Sequence, residues 1–185
     1  AELGLNSYRF SLSWARLFPR ANMTEPDPAG ITFYREVIAA AKKNGLKPHV
    51  SLFHFSTPEW LWEEQGGERG WEREDALQHW KRYVTAVSEL LGPEISHWCT
   101  LNEPMVYVLW GYLEGIFPPL EQRANPEATA PVVARLLELR RLRRPGGAVA
   151  DQSPAHVRYR VCSVMTAMSA ACGLRDAAAR GAALL

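Results

Sequence analysis

Residues 95–104, ISHWCTLNEP, form a short β-prone segment that ends in an amide, a carboxyl group and a proline. Gly92 and Pro93 separate this segment from the long amphipathic stretch that precedes it, and such a pair interrupts regular structure. The pattern predicts a strand over Ile95–Leu101 that ends at the polar pair Asn102 and Glu103.

Two earlier segments have the character of strands. Residues 8–14 alternate apolar and polar side chains, which is the periodicity of a strand with one buried face. Residues 48–55 form a short apolar run rich in β-prone residues. The sequence therefore predicts strands over Tyr8–Trp14 and Pro48–Phe55.

Helical spacing fills the intervals between the three strands. Apolar residues recur at helical spacing over 31–41 and again over 77–91, and Asn44-Gly45 provides a helix end. A short helix is also predicted over Pro58–Gln65. Strand–helix alternation with crossovers of roughly thirty residues predicts a parallel sheet with external helices. A doubly wound sheet and a (β/α)₈ barrel both fit, but no G-x-G-x-x-G follows the first strand to support a dinucleotide site.

The whole-chain composition is that of a globular protein and excludes several classes. The 185 residues are 47% hydrophobic and 22% charged, with a formal net charge of +1. Near-neutral charge gives no reason to expect nucleic acid or an anionic membrane as the partner. No apolar run of about eighteen residues is present, and three cysteines do not make a disulfide scaffold. The N-terminus lacks a signal-peptide pattern, from which a cytoplasmic location is expected.

The chain divides into two unlike pieces near residue 120. Residues 1–120 hold 11 basic and 15 acidic residues and 18 of the 19 aromatics, whereas residues 121–185 hold 10 basic and 5 acidic residues. We interpret 1–120 as the folded unit and 121–185 as an Ala/Arg-rich tail. Beyond about residue 135 the tail resembles GC-rich coding DNA translated in a shifted frame; a divergent helix and a solvated basic tail are the alternatives. Its arginine cluster at 140–144 is short and lacks the aromatic platform of a nucleic-acid site.

Polar residues at the predicted strand ends are the candidates for function. Half-burial of Glu103 would raise the pKa of its carboxyl group and let it donate a proton near neutral pH. Asn102 could bind a substrate hydroxyl, and His54, between Phe53 and Phe55, has surroundings suited to a sugar ring. The structural alternatives are a turn that caps a helix beginning at Pro104 and a satisfied core histidine.

Other polar residues give weaker signals. Arg9 alternates with residues expected to be buried, so it needs a carboxylate partner unless it points outward. His49, His79 and His97 have no metal-ligand spacing, and no metal site is predicted. Cys99 is expected to be a small core residue, and no G-x-S-x-G nucleophile motif is present.

Three motifs together resemble family 1 glycoside hydrolases, the β-glucosidase family. Residues 7–16 (SYRFSLSWAR), 51–58 (SLFHFSTP) and 98–104 (WCTLNEP) resemble the motifs of that family's second, third and fourth strands, in the same order and at similar spacing. The resemblance covers roughly residues 3–120 and implies a (β/α)₈ TIM barrel, here a partial barrel of about strands 2–4. The order of the three motifs makes related clan barrels, such as family 5 cellulases, the weaker alternative.

The resemblance also implies an activity and residue roles. The reaction is hydrolysis of β-linked sugars with retention, by two carboxylates and without a cofactor. Glu103 matches the general acid/base, Asn102 the residue that binds the 2-hydroxyl, and His54 a ligand of the sugar in the −1 subsite. Arg9 matches the arginine that orients the nucleophilic carboxylate. The expected partner is a β-glucoside or oligosaccharide, with no nucleic acid and no membrane.

Two departures from the family pattern change what is expected of substrate binding and of activity. Phe55 and Ser56 stand where the family usually has tryptophan and often has aspartate, so Phe55 keeps a stacking face for substrate but lacks an indole N–H. The I/V-T-E-N-G motif that carries the family's nucleophile is absent from the sequence. The chain is therefore expected to be a fragment that is inactive alone. The non-enzymatic alternative is a carbohydrate-binding remnant or pseudoenzyme.

Overall fold

The computed structural model describes residues 4–141 and 159–162. Within them, four parallel strands form one sheet whose spatial order is the chain order. The strands are β1 (Ser7–Ser11), β2 (Lys47–Phe53), β3 (His97–Asn102) and β4 (Tyr159–Cys162). The three predicted strands are confirmed, and β4 is a strand in the segment that we interpreted as a tail. Such a sheet is consistent with part of a barrel.

Five α-helices accompany the strands along the described part of the chain. They are α1 (Trp14–Leu17), α2 (Pro28–Lys43), α3 (Ala76–Leu91), α4 (Pro104–Val108) and α5 (Ala130–Arg141), with single 3₁₀ and π turns between them. Asp27 caps α2 by accepting a hydrogen bond from the Ala29 amide at 3.1 Å. Gly45, at φ 74°, takes the left-handed conformation that lets the chain leave α2. No helix in the described part of the chain is both long and apolar enough to cross a bilayer.

An aromatic cluster fills the space between the sheet and its helices. Trp14, which is 1% exposed, lies at its centre. The Trp14 ring stacks on Tyr83 with centroids 5.4 Å apart and meets three further tryptophan rings at 5.6–5.8 Å, those of Trp60, Trp71 and Trp80. Trp80 is 0% exposed and belongs to this core, and Cys99 is buried as predicted. The tryptophans joined by Trp14 therefore hold α3 and the β2–α3 connection against the sheet.

β1 and β2 both end before the predicted residue, each for a local reason. β1 ends at Ser11 because the Ser13 hydroxyl accepts a hydrogen bond from the Arg16 amide at 3.2 Å and starts α1. Tyr8 is 46% exposed rather than buried. β2 ends at Phe53, and Phe55 takes a left-handed backbone at φ 72° that is incompatible with a strand.

The helix predicted over Pro58–Gln65 is a single 3₁₀ turn, Glu59–Trp62. The guanidinium of the buried Arg73 donates to the carbonyl oxygens of Trp60 at 2.9 Å and Glu63 at 3.3 Å. Those acceptors are the ones that a continuing helix would use. Arg73 also pairs with Asp75 at 2.8 Å, which lowers the pKa of that carboxyl group chiefly through the hydrogen bond.

Two histidines lie side by side on neighbouring strands. His49 of β2 is in register with His97 of β3, and their ring centroids are 4.3 Å apart. Partial burial lowers the pKa of His49, and the nearby His97, Lys47 and Arg9 lower it further. The folded protein therefore binds a proton at His49 less readily than the unfolded chain does.

We expect stability to fall as the pH drops below about 6.5, the ordinary histidine pKa. The unfolded chain takes up a proton at His49 in that range, whereas the folded chain resists it. Urea unfolding between pH 7.5 and 5 should show this loss, and His49→Gln should make the midpoint less dependent on pH. A variant with the same pH dependence as the parent would contradict the assignment.

Candidate active site

The candidate residues meet at one edge of the sheet. His54 follows β2, Asn102 is the last residue of β3, and Glu103 lies between β3 and α4. Since β2 and β3 are parallel and adjacent, their carboxyl ends lie at the same edge, which is where ligands bind in such sheets. The structure therefore brings together the three residues that the sequence singled out.

Arg9 is exposed, so the first of the two alternatives, a buried arginine that needs a carboxylate partner, does not hold. Its guanidinium crosses two strands and donates to the Ser51 hydroxyl at 3.0 and 3.1 Å and to the Asn102 side-chain oxygen at 2.6 Å. It also approaches the Cys99 sulfur at 3.7 Å. Among the described residues no carboxylate pairs with Arg9. Nor does Arg9 point away from the sheet, because its partners lie on β2 and β3.

His54 lies at the open edge of the site and is held by Ser11, a residue that the sequence analysis did not single out. The His54 Nδ1 and the Ser11 hydroxyl are 3.1 Å apart. Loss of hydration lowers the pKa of His54, the charge of Arg9 lowers it further, and the Glu103 carboxylate opposes both. The shift favours a neutral imidazole, which can either donate or accept a hydrogen bond at Nε2. His54 is therefore not a core histidine.

Glu103 is half-buried and takes a left-handed backbone conformation, φ 41° and ψ 57°. Its side chain makes no capping hydrogen bond, although α4 begins at the next residue, Pro104. The alternative of a turn that caps a helix is therefore right that a helix begins at Pro104, but the Glu103 carboxyl group does not cap that helix. Strained backbone of this kind clusters at functional sites. The carboxyl group is left available for a ligand.

An aromatic wall stands beside these polar groups. Phe55 stacks on Tyr107 with ring centroids 5.8 Å apart and an interplanar angle of 20°. Phe117 packs on the Phe55 ring, with ring centroids 5.7 Å apart. The ring of Trp110, which is 40% exposed, lies 5.0 Å from the ring of Phe117. Phe55 was predicted from the sequence and Phe117 was not, because only the folded chain places residues 62 positions apart in contact.

The site offers hydrogen bonds and an apolar surface rather than metal ligands. Among the residues that the structure describes, no group of three or more histidine, cysteine, aspartate or glutamate side chains is arranged to hold a metal ion. A half-buried carboxyl group, an oriented amide and a neutral imidazole beside aromatic rings match the needs of a hydroxyl-rich ligand with an apolar face. General acid–base chemistry on such a ligand is the reaction that these groups can support.

Comparison with known proteins identifies a family. A family model described as Glycosyl hydrolase family 1 matches residues 1–134. The coniferin β-glucosidase of Pinus contorta is 39% identical over 129 residues, which is 68% of this chain and 24% of the pine protein. The β-glycosidase of Pyrococcus horikoshii superposes with a TM-score of 0.66 at 40% identity, over 75% of this chain and 31% of that one.

A β-glucosidase from Thermotoga maritima, solved in complex with deoxynojirimycin, also superposes with a TM-score of 0.66. Its identity to this chain is 28%, over 75% of this chain and 30% of that one. The chain thus spans 24% of the pine relative and about a third of the solved structures that it matches.

Proposed function

Because this chain belongs to glycosyl hydrolase family 1, we propose that it carries the acid/base part of a retaining β-glucosidase site. In this proposal Glu103 protonates the leaving oxygen, Asn102 binds the 2-hydroxyl, and His54 and Phe55 hold the sugar ring. The observation that carries it is the meeting of His54, Asn102 and Glu103 at one sheet edge, with the amide of Asn102 held by Arg9 at 2.6 Å.

The retaining mechanism needs a second carboxylate about 5 Å from the acid, which attacks the sugar and forms a covalent intermediate. We propose that Arg9 orients that nucleophile and that another part of a complete barrel supplies it. Two of the guanidinium nitrogens of Arg9 already donate to Ser51 and Asn102. Arg9 itself is exposed, so an incoming carboxylate can reach its guanidinium.

The relatives support a sugar as the ligand. The name of the pine relative states that it is a β-glucosidase for coniferin. The Thermotoga maritima enzyme was solved with deoxynojirimycin, an iminosugar that resembles glucose. Membership of family 1 removes the family 5 alternative. A β-glucoside is accordingly the substrate class that we assign to this edge of the sheet.

A second candidate function is sugar binding without turnover. It is favoured by one specific observation, that no carboxylate among the described residues pairs with Arg9. The polar groups that contact the sugar in the first proposal are the same in the second. The two candidates therefore share a binding test and differ in a turnover test.

We expect the purified chain to bind deoxynojirimycin and Asn102→Ala to weaken that binding about tenfold, as the loss of one well-formed hydrogen bond implies. Isothermal titration calorimetry measures both dissociation constants. Asn22→Ala, at an exposed position of the connection between α1 and α2, is the matched control and should bind like the parent. Equal affinity of the Asn102→Ala variant and the parent would show that the ligand is not held at this edge.

A further inference from the structure

The serine at position 51 is buried at the centre of the polar network. Ser51 is 0% exposed and lies on β2, in register with Ser11 of β1 and Cys99 of β3. Its hydroxyl accepts two hydrogen bonds from one guanidinium, from Nε of Arg9 at 3.1 Å and from Nη2 at 3.0 Å. Two contacts from adjacent nitrogens fix the plane of a guanidinium, whereas one would leave it free to rotate.

The orientation of the Asn102 amide follows from this arrangement. Nη2 of Arg9 lies 2.6 Å from the side chain of Asn102. A guanidinium has only donors, so the atom that it contacts must be the amide oxygen. The NH₂ group of Asn102 then points the other way. No group among the described residues accepts a hydrogen bond from that NH₂, and it is not sealed from solvent.

We propose that Ser51 is a positioning residue for sugar recognition: it fixes Arg9, and Arg9 turns the NH₂ group of Asn102 toward the 2-position of the sugar. This inference rests on the proposed function, in which Asn102 meets the 2-hydroxyl. It adds that Asn102 acts as the donor in that contact and that selectivity for the hydroxyl depends on a residue that does not touch the ligand. Removing the Ser51 hydroxyl frees the guanidinium and lets the amide rotate.

The test compares two iminosugars that differ in one hydroxyl group, deoxynojirimycin and 1,2-dideoxynojirimycin. The parent chain should bind the first about tenfold more tightly, because the second covers the NH₂ group of Asn102 on binding and leaves it unpaired. In Ser51→Ala the preference should fall to about twofold. Ser51→Thr keeps a hydroxyl at the same place and should restore the preference, which a general loss of packing would not permit.

Two further variants separate positioning from folding. Ser88→Ala removes another buried hydroxyl, one on α3 with no hydrogen-bond partner among the described residues, and should leave the preference unchanged. Arg9→Lys keeps the charge but loses the planar fork, so it should lose the preference like Ser51→Ala. If Ser51→Ala does not fold by circular dichroism, Arg9→Lys carries the test.

A preference that survives in both Ser51→Ala and Arg9→Lys, while Asn102→Ala abolishes it, would overturn the inference and leave the proposed function standing. A preference unchanged by Asn102→Ala, or no binding of either iminosugar by the parent, would instead contradict the proposed function. The ligand-free ¹H–¹⁵N spectrum then decides the positioning role. The Asn102 side-chain amide signals should shift in Ser51→Ala and not in Ser88→Ala, and signals that stay in place would overturn it.

Discussion

Replacing Trp14 with alanine is expected to lower the free energy of unfolding by about 3–5 kcal/mol, the range for removing a buried aromatic ring. Trp14 is 1% exposed and its ring contacts four other aromatic rings, so the cavity is lined on several sides by groups that cannot all move inward. The expected loss is a large share of the 5–15 kcal/mol that holds an ordinary domain together. Urea unfolding followed by far-ultraviolet circular dichroism measures it.

The matched control for this substitution is Trp110→Ala. Trp110 is 40% exposed and lies outside the central cluster, so its removal should change the free energy of unfolding by less than about 1 kcal/mol. Equal losses in the two variants would contradict the assignment of Trp14 as the centre of the core. A parent chain without a cooperative transition would contradict it as well.

The second large effect concerns turnover. We expect the purified chain to release no p-nitrophenol from p-nitrophenyl β-glucoside, because Glu103 alone cannot carry out a double displacement that needs two carboxylates. The expectation depends on the proposal that the nucleophile comes from another part of a complete barrel. Absorbance at the p-nitrophenolate band, at a p-nitrophenyl β-glucoside concentration high enough to saturate the site, is the measurement.

Glu103→Gln serves as the control in that assay, since it keeps the size of the side chain and removes its acid. Glu89→Gln, on the exposed face of α3, controls for the loss of one negative charge. If the parent shows turnover and Glu103→Gln alone abolishes it, a carboxylate of this chain acts as the nucleophile. That result would contradict the proposal that the nucleophile comes from another part of a complete barrel. It would also exclude sugar binding without turnover.

The strands were predictable because their signals are local. The alternation over β1 and the apolar runs over β2 and β3 do correspond to strands in the structure. The observed ends differ from the predicted ends where a single side-chain contact stops the element. Ser13 caps α1 and ends the strand predicted to reach Trp14. Arg73, distant in sequence, takes the carbonyls of Trp60 and Glu63 and stops a predicted helix at one turn. Neither contact produces a periodic pattern in the sequence.

The site was predictable in part for a similar reason. His54, Asn102 and Glu103 follow strands, and strand ends meet in a parallel sheet. The surroundings of Arg9 stayed undecided because alternation shows that a strand has two faces but not that both are covered. Ser51 was missed because a serine within a strand has no chemical signal until the register places it under a guanidinium. The frame-shift interpretation of the tail remains a prediction, since residues 142–158 and 163–185 lie outside the described residues.

The chain order of the strands has a consequence for synthesis. Each of β2, β3 and β4 pairs with the strand made immediately before it, so its hydrogen-bonding partner has already left the ribosome when it emerges. The sheet can therefore grow in the direction of translation, because no strand has to wait for a partner that is made later. The edge that carries His54, Asn102 and Glu103 is complete as soon as α4 begins to form. Chain elongation itself assembles the ligand-facing edge from its first strand to its last.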